Sequence, residues 1–184
     1  MDNGASSYRR FLDGDENGLA ELIKIYNSGL TLYINSFVND LSAADELSED
    51  VFVKLGVKKP HFSGRSSFKT WLYAIGRNTA LDYVRKSRKN AALPLDTCAE
   101  QADETALERD YLKEERKILL HKTMRGLKTE YRQVLWLRYF EELSAKETAK
   151  LMKRSVHSVE SLVSRARQSL KAELEKEGYS HEDL

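Results

Sequence analysis

Between His61 and Lys89, seven cationic side chains (Arg65, Lys69, Arg77, Arg85, Lys86, Arg88 and Lys89) stand against one acid, Asp82. The same stretch carries Phe62, Phe68, Trp71, Tyr73 and Tyr83. Cations attract phosphates whatever the base sequence, and aromatic rings stack on bases that have left the duplex. Together they predict a surface for melted or melting nucleic acid. The stretch from Pro60 to Ser67 is short and polar around Phe62, as a loop receiving an unstacked base would be. An amphipathic core helix with a solvated basic face would show the same periodicity.

The elements that position these groups follow from helical spacing. At about 100° per residue, Phe68, Leu72, Ile75 and Thr79 share one face, with Trp71 on its edge. Lys69, Tyr73, Arg77, Arg85 and Arg88 fall on the opposite half. Ser66 or Ser67 is placed to cap the helix start, where a hydroxyl oxygen accepts a free first-turn N–H. Upstream, Tyr8 to Leu12 predicts a short helix, and Asp15 an N-cap for a long one to about Val38. That helix carries Leu19, Leu22, Ile23, Tyr26, Leu30, Tyr33, Ile34 and Phe37 at helical spacing. Ser42 is the predicted cap of a third helix through Leu55, burying Leu47, Val51 and Leu55, and Pro60 ends the region.

A second constellation runs from Leu143 to Arg167. Ser144 and Glu147 form the S-x-x-E pattern of a capping box. Ala149 is small where two helices must cross. After a tight break at Lys153-Arg154, Ser155 caps a second helix with Val156, Val159, Val163, Ala166 and Leu170 as its apolar stripe. This is the pattern of a helix-turn-helix. A recognition helix presents base-reading groups near its N-terminus with phosphate contacts around them. His157, Ser158 and Ser161 suit the first role; Lys153, Arg154, Arg165 and Arg167 suit the second.

Composition sets the frame. The chain has 184 residues, only two prolines and nine glycines, and abundant helix formers, which predicts an all-α protein. Residues 91 to 110 hold six acids and one base, so the charge reverses sign directly after the basic helix. The predicted organisation is two small helical domains, 1–89 and 105–177, joined by an acidic linker, 90–104, with a tail at 178–184. The linker reads either as a solubilising loop or as an acidic strand that lies in a positively charged channel of a partner. In the second domain one helix runs to about Arg125, Gly126 ends it, and Thr129 caps the next, which carries Tyr131, Val134, Leu135, Leu137 and Arg138. No apolar run reaches membrane-span length and the N-terminus lacks a signal-peptide centre, so a cytoplasmic location is expected. Cys98 is the single cysteine, which excludes an internal disulfide framework. His61, His121, His157 and His181 are scattered and the carboxylates form no compact metal set, so neither an enzyme nor a cofactor is expected.

In this order and separation, the motifs resemble an extracytoplasmic-function (ECF) group sigma factor of the sigma-70 family, over about Leu19 to Leu174. DELSEDVF (Asp45 to Phe52) is similar to the family's acidic helix that docks on core RNA polymerase. FSGRSSFKTWLYAIGRNTALDYVR (Phe62 to Arg85) is similar to the segment that opens and reads the −10 promoter element. The helix-turn-helix is similar to the module that reads the −35 element. The resemblance implies polymerase docking through Asp45, Glu46, Leu47, Glu49, Asp50 and Phe52. It implies −10 contacts from Phe62, Ser63, Gly64, Arg65, Ser66, Ser67, Lys69, Trp71, Tyr73, Arg77, Asn78, Arg85 and Arg88. It implies −35 contacts from Lys153, Arg154, Ser155, His157, Ser158, Glu160, Ser161 and Arg165. Expected partners are core RNA polymerase (clamp and flap regions), promoter DNA as duplex and single strand, and an anti-sigma factor. This chain departs from the family's pattern at Glu49, Gly76, Lys153, His157, Glu160 and Leu162, so a −35 preference does not transfer. The rival reading is a stand-alone helix-turn-helix regulator, which leaves the aromatic basic segment and the acidic helix unexplained.

Overall fold

The computed structural model describes residues 3–90 and 123–176. The predicted linker beyond Asn90, Cys98, the helix start near Thr105 and the tail lie outside the described residues. Every regular element within them is helical, as the composition predicts. The chain divides into two units, Met1–Pro94 and Leu95–Leu184.

The first unit is built on four helices: α1 (Asn3–Leu12), α2 (Asn17–Val38), α3 (Leu41–Lys58) and α4 (Phe68–Asn90). Helix α2 packs against the other three. Its seven consecutive residues Leu30 to Ser36 are all buried, the mark of a helix enclosed on every side rather than on one stripe. Its first half is only partly covered, and the predicted stripe residue Ile23 is 40% exposed. Two close approaches depend on glycine. A Cβ on Gly18 would stand 2.3 Å from the Ser7 carbonyl oxygen, where α1 crosses α2. A Cβ on Gly76 would stand 2.7 Å from Leu30 Cδ1. The alanine-to-glycine departure in α4 therefore has a packing reason that offsets its helix-propensity cost of about 1 kcal/mol.

The helix starts refine the sequence expectations. The predicted N-cap Asp15 stands one residue too early: Glu16 holds the cap position of α2 without a side-chain bond, and Asp15 Oδ1 accepts the Asn17 N–H at 3.0 Å. Helix α3 is capped by Asp40, not by the predicted Ser42. Asn39 ends α2 in the left-handed conformation, and extended Asp40 then accepts the Ala43 N–H at 3.0 Å. Ser42 already lies inside the first turn. Ser67 caps α4 as predicted, accepting the Thr70 N–H at 3.3 Å.

In the second unit, the Gly126 N–H closes a turn onto the Thr123 carbonyl. Helix α5 (Thr129–Leu135) follows, then a π-helical turn (Trp136–Phe140), α6 (Ala145–Met152) and α7 (Val156–Lys176). Thr129 is not the predicted cap: Lys128 holds that position without a side-chain bond, and Thr129 Oγ1 instead accepts from Arg132 Nη2. The predicted helix through Arg138 widens at Trp136, whose ring stacks on Phe140 at 4.3 Å and 11°. Arg138 Nη1 then donates to the Leu143 carbonyl, tying the turn to the start of the helix-turn-helix.

Candidate nucleic-acid interfaces

The loop between α3 and α4 is defined at both ends. Lys59, at φ 43°, ends α3, and the Ser67 cap opens α4. Between them His61, Ser63, Gly64 and Arg65 are exposed, while Phe62, Ser66 and Ser67 are half-buried. Gly64 takes φ 70° with open space around its Cβ position, so backbone conformation rather than crowding favours glycine here. The Phe62 ring rests 5.2 Å from Trp71 and 5.5 Å from Phe68.

Helix α4 splits the predicted −10 set. Asn78, Arg85 and Arg88 are exposed, as are Tyr83, Lys86 and Lys89; Lys69, Trp71 and Arg77 are half-buried. Arg85 meets Asp82 at 3.2 Å, a surface pair worth about 0–1 kcal/mol and easily exchanged for a phosphate. Tyr73 departs from the expected −10 set. It is fully buried, its ring 5.2 Å from Tyr33 of α2, so the buried arc of α4 is wider than its apolar stripe. It has no access to DNA. Arg77 lies at the margin of that core: burial pushes the Tyr33 phenol far above its ordinary range, and the Arg77 guanidinium opposes the shift. Tyr83, 38% exposed beside Arg85 and Lys86, belongs on the outer strip; at i+4 from Thr79 it continues the apolar stripe in sequence, so its exposure is not legible from the helical period.

Helix α3 also divides. Glu46, Glu49 and Asp50 are exposed and Asp45 half-buried, with Thr31 Oγ1 donating to Asp45 Oδ1 at 3.5 Å. Leu47 and Phe52 are 8% and 5% exposed; Leu47 is buried as its helical spacing predicts, and both face the core rather than the docking surface that the resemblance implies. The outer face continues instead to Val53 and Val57, 60% and 77% exposed. These two lie at i+3 and i+7 from Asp50, on the face opposite Val51 and Leu55, a signal the helical period contains.

The helix-turn-helix forms as its capping signals predict. Ser144 accepts the Glu147 N–H, and Glu147 returns a bond to the Ser144 N–H at 3.0 Å. Lys153 holds φ 56°, supplying the left-handed turn where the family pattern has glycine. Ser155 Oγ accepts the Ser158 N–H at 3.2 Å, so that hydroxyl serves the cap of α7. His157, Glu160, Ser161 and Arg165 are exposed along the first turns, with Ser158 half-buried. Val156, predicted in the apolar stripe, is 36% exposed; Leu162, 1% exposed, takes a place in it with Val159 and Ala166. The stripe bends inward only after the first turn, which explains why position 162 is apolar in this chain. Arg154 Nη2 meets Glu130 Oε1 at 2.5 Å. That predicted phosphate contact is already ion-paired with α5.

One helical unit with an exposed aromatic-basic loop and helix, and a second with a capped helix-turn-helix, define a class of DNA-recognising transcription proteins. The comparisons narrow it. Sigma-70 region 2 matches residues 22–90, and sigma-70 region 4 matches residues 117–170. The chain is 33% identical to the RNA polymerase sigma factor SigZ of Bacillus subtilis over 150 residues, 82% of this chain and 83% of that protein. It is 30% identical to the ECF RNA polymerase sigma factor SigM of the same organism, over 83% of this chain and 92% of that one. The chain belongs to the sigma-70 family, in its ECF group. Its fold is shared with the sigma factor RpoE of Bartonella quintana, solved with the anti-sigma factor NepR (TM-score 0.64, 20% identity, 85% of this chain and 96% of that one). It is also shared with CnrH, solved with the cytosolic domain of CnrY (TM-score 0.63, 22% identity, 95% and 96%).

Proposed function

We propose that the chain binds core RNA polymerase and directs promoter-specific initiation, with its first unit capturing the melted −10 strand and its second holding the −35 duplex. The observation that carries this is the loop from His61 to Ser66: exposed, anchored at both ends, floored by Phe62 and Trp71, and followed by a helix whose outer strip is cationic. An unstacked base entering that loop gains ring contact, and Arg85 and Arg88 hold its backbone. Melting follows because the single strand is bound in preference to the duplex, so the proposed mechanism assigns no catalytic group.

The −35 reading rests on α7. Its first turns offer His157, Glu160 and Ser161 to base edges, with Lys153, Arg165 and Arg167 toward phosphates. A carboxylate at Glu160 accepts from a cytosine amino group and repels phosphate, giving specificity at the expense of nonspecific affinity. Docking on the polymerase uses the outer face of α3: Glu46, Glu49 and Asp50, extended by Val53 and Val57. An anti-sigma partner, of the kind solved with RpoE, belongs to the same proposal, as does a cytoplasmic place of action. Among the described residues no helix is long and apolar enough to cross a membrane.

The test is binding with and without the polymerase. The chain is expected to form a complex with core enzyme and to bind promoter DNA tightly and specifically only within it. Tight, specific duplex binding by the free chain, with no polymerase complex, would favour a stand-alone regulator.

A further inference from the structure

Helix α1 precedes the residues that match region 2 and contributes nothing to the cationic strip, yet it reaches the base-binding loop. Tyr8 is 1% exposed, and its hydroxyl donates to the Pro60 carbonyl at 2.7 Å. Its ring lies 5.4 Å from both Phe68 and Trp71, the two rings that carry Phe62. One turn further along α1, the Phe11 ring receives Lys59 Nζ at 4.9 Å. Helix α1 therefore meets both residues that lead into the loop.

The helix is itself held. Arg10 Nη2 meets Glu21 Oε1 at 2.7 Å, and Ser7 Oγ donates to Glu21 Oε2 at 2.8 Å. An exposed loop has few contacts of its own to restrict its conformers, so its geometry is set where it leaves the core. Proline fixes φ at that point and offers no N–H, and its carbonyl lies on the peptide plane that enters the loop. The Tyr8 hydroxyl holds that carbonyl.

We propose that Tyr8 is a positioning residue for base capture, setting through the Pro60 carbonyl the entry angle of the loop that receives the −10 base. This rests on the assignment of that loop to the −10 strand. The chemistry is one hydrogen bond, so Tyr8→Phe isolates it while leaving the ring in the aromatic cluster.

The experiment uses holoenzyme assembled from the full chain and core polymerase, transcribing a promoter library randomised in the −10 element. Amide hydrogen exchange of residues 61–66 is followed in parallel. Tyr8→Phe is expected to fold and assemble like the parent, to exchange faster in the loop, and to lose about threefold to tenfold of its discrimination between −10 bases, the range for one hydrogen bond. Ser7→Ala, which removes a different α1 bond, is expected to leave discrimination unchanged. Replacement of Ser63 and Arg65 serves as the control on the loop and is expected to change the preferred base. If that replacement acts and Tyr8→Phe does not, the proposal fails and the loop assignment stands. If neither acts, both fall. Equal losses in Tyr8→Phe and Ser7→Ala, or a Tyr8→Phe chain that does not fold, would place Tyr8 in the general core and overturn the positioning role.

Discussion

Two buried tyrosines make opposite predictions from the same side chain. Tyr8 donates to Pro60, whereas Tyr33 Oη is buried with no hydrogen-bond partner among the described residues. A net hydrogen bond contributes about 1 kcal/mol, and an unmatched buried hydroxyl costs a similar amount or more. Tyr8→Phe is therefore expected to lower stability by about 1 kcal/mol, and Tyr33→Phe to leave it unchanged or raise it, both read from denaturant midpoints. A lower midpoint for Tyr33→Phe would mean the hydroxyl is satisfied. On the outer strip, Arg88 is exposed and free to meet phosphate. Arg88→Ala in the holoenzyme is expected to weaken open-complex formation to a similar degree at every promoter. The slope of log affinity against log salt should fall by about one. An unchanged slope would remove Arg88 from the DNA contacts.

At the scale of elements, α1 is held on α2 by ionised groups. The Arg10 hydrogen bond, then that from Ser7, hold the Glu21 carboxyl below its ordinary value of 4.5. A carboxyl whose value is depressed by folding contributes stability present above its unfolded value and lost as pH falls through its folded one. Stability is thus expected to decline below pH 4.5 in part through release of α1, with Glu21→Gln flattening that decline; parallel pH profiles for the two chains would contradict it. On α3 the exposed Val57 offers a clean probe of the docking face. Val57→Glu is expected to weaken polymerase association about tenfold or more through burial of an unpaired charge, with the melting temperature unchanged. Normal association would move the docking face elsewhere.

The elements also show where the sequence was legible. Local signals worked well: the Ser67 cap, the Ser144–Glu147 box, the Ser155 cap and the α4 apolar face all form as the residues predict. Leu47 is buried as its helical spacing predicts, and only the resemblance places it on the docking face. Tyr73 and Phe52 lie off their predicted stripes and are buried because a helix with neighbours on more than one side buries more than one stripe. Asp40 displaced Ser42 because the left-handed Asn39 moves the helix start back, and no rule of composition distinguishes the two caps. The π turn at Trp136 coincides with the Trp136–Phe140 ring stack, which no capping or periodicity signal announces. Val53 and Val57 are legible in the helical period, at i+3 and i+7 from Asp50, whereas the acids alone do not mark them.

Across the whole molecule, the proposed function divides the labour: one unit for the polymerase and the melted strand, the other for duplex DNA. The most direct measurement is run-off transcription from a genomic fragment library, comparing core polymerase alone with core polymerase plus this chain. New, discrete start sites are expected, sharing one sequence element near −10 and another near −35 at a fixed separation. Transcripts that the chain leaves unchanged, with folded protein and active polymerase, would contradict the account.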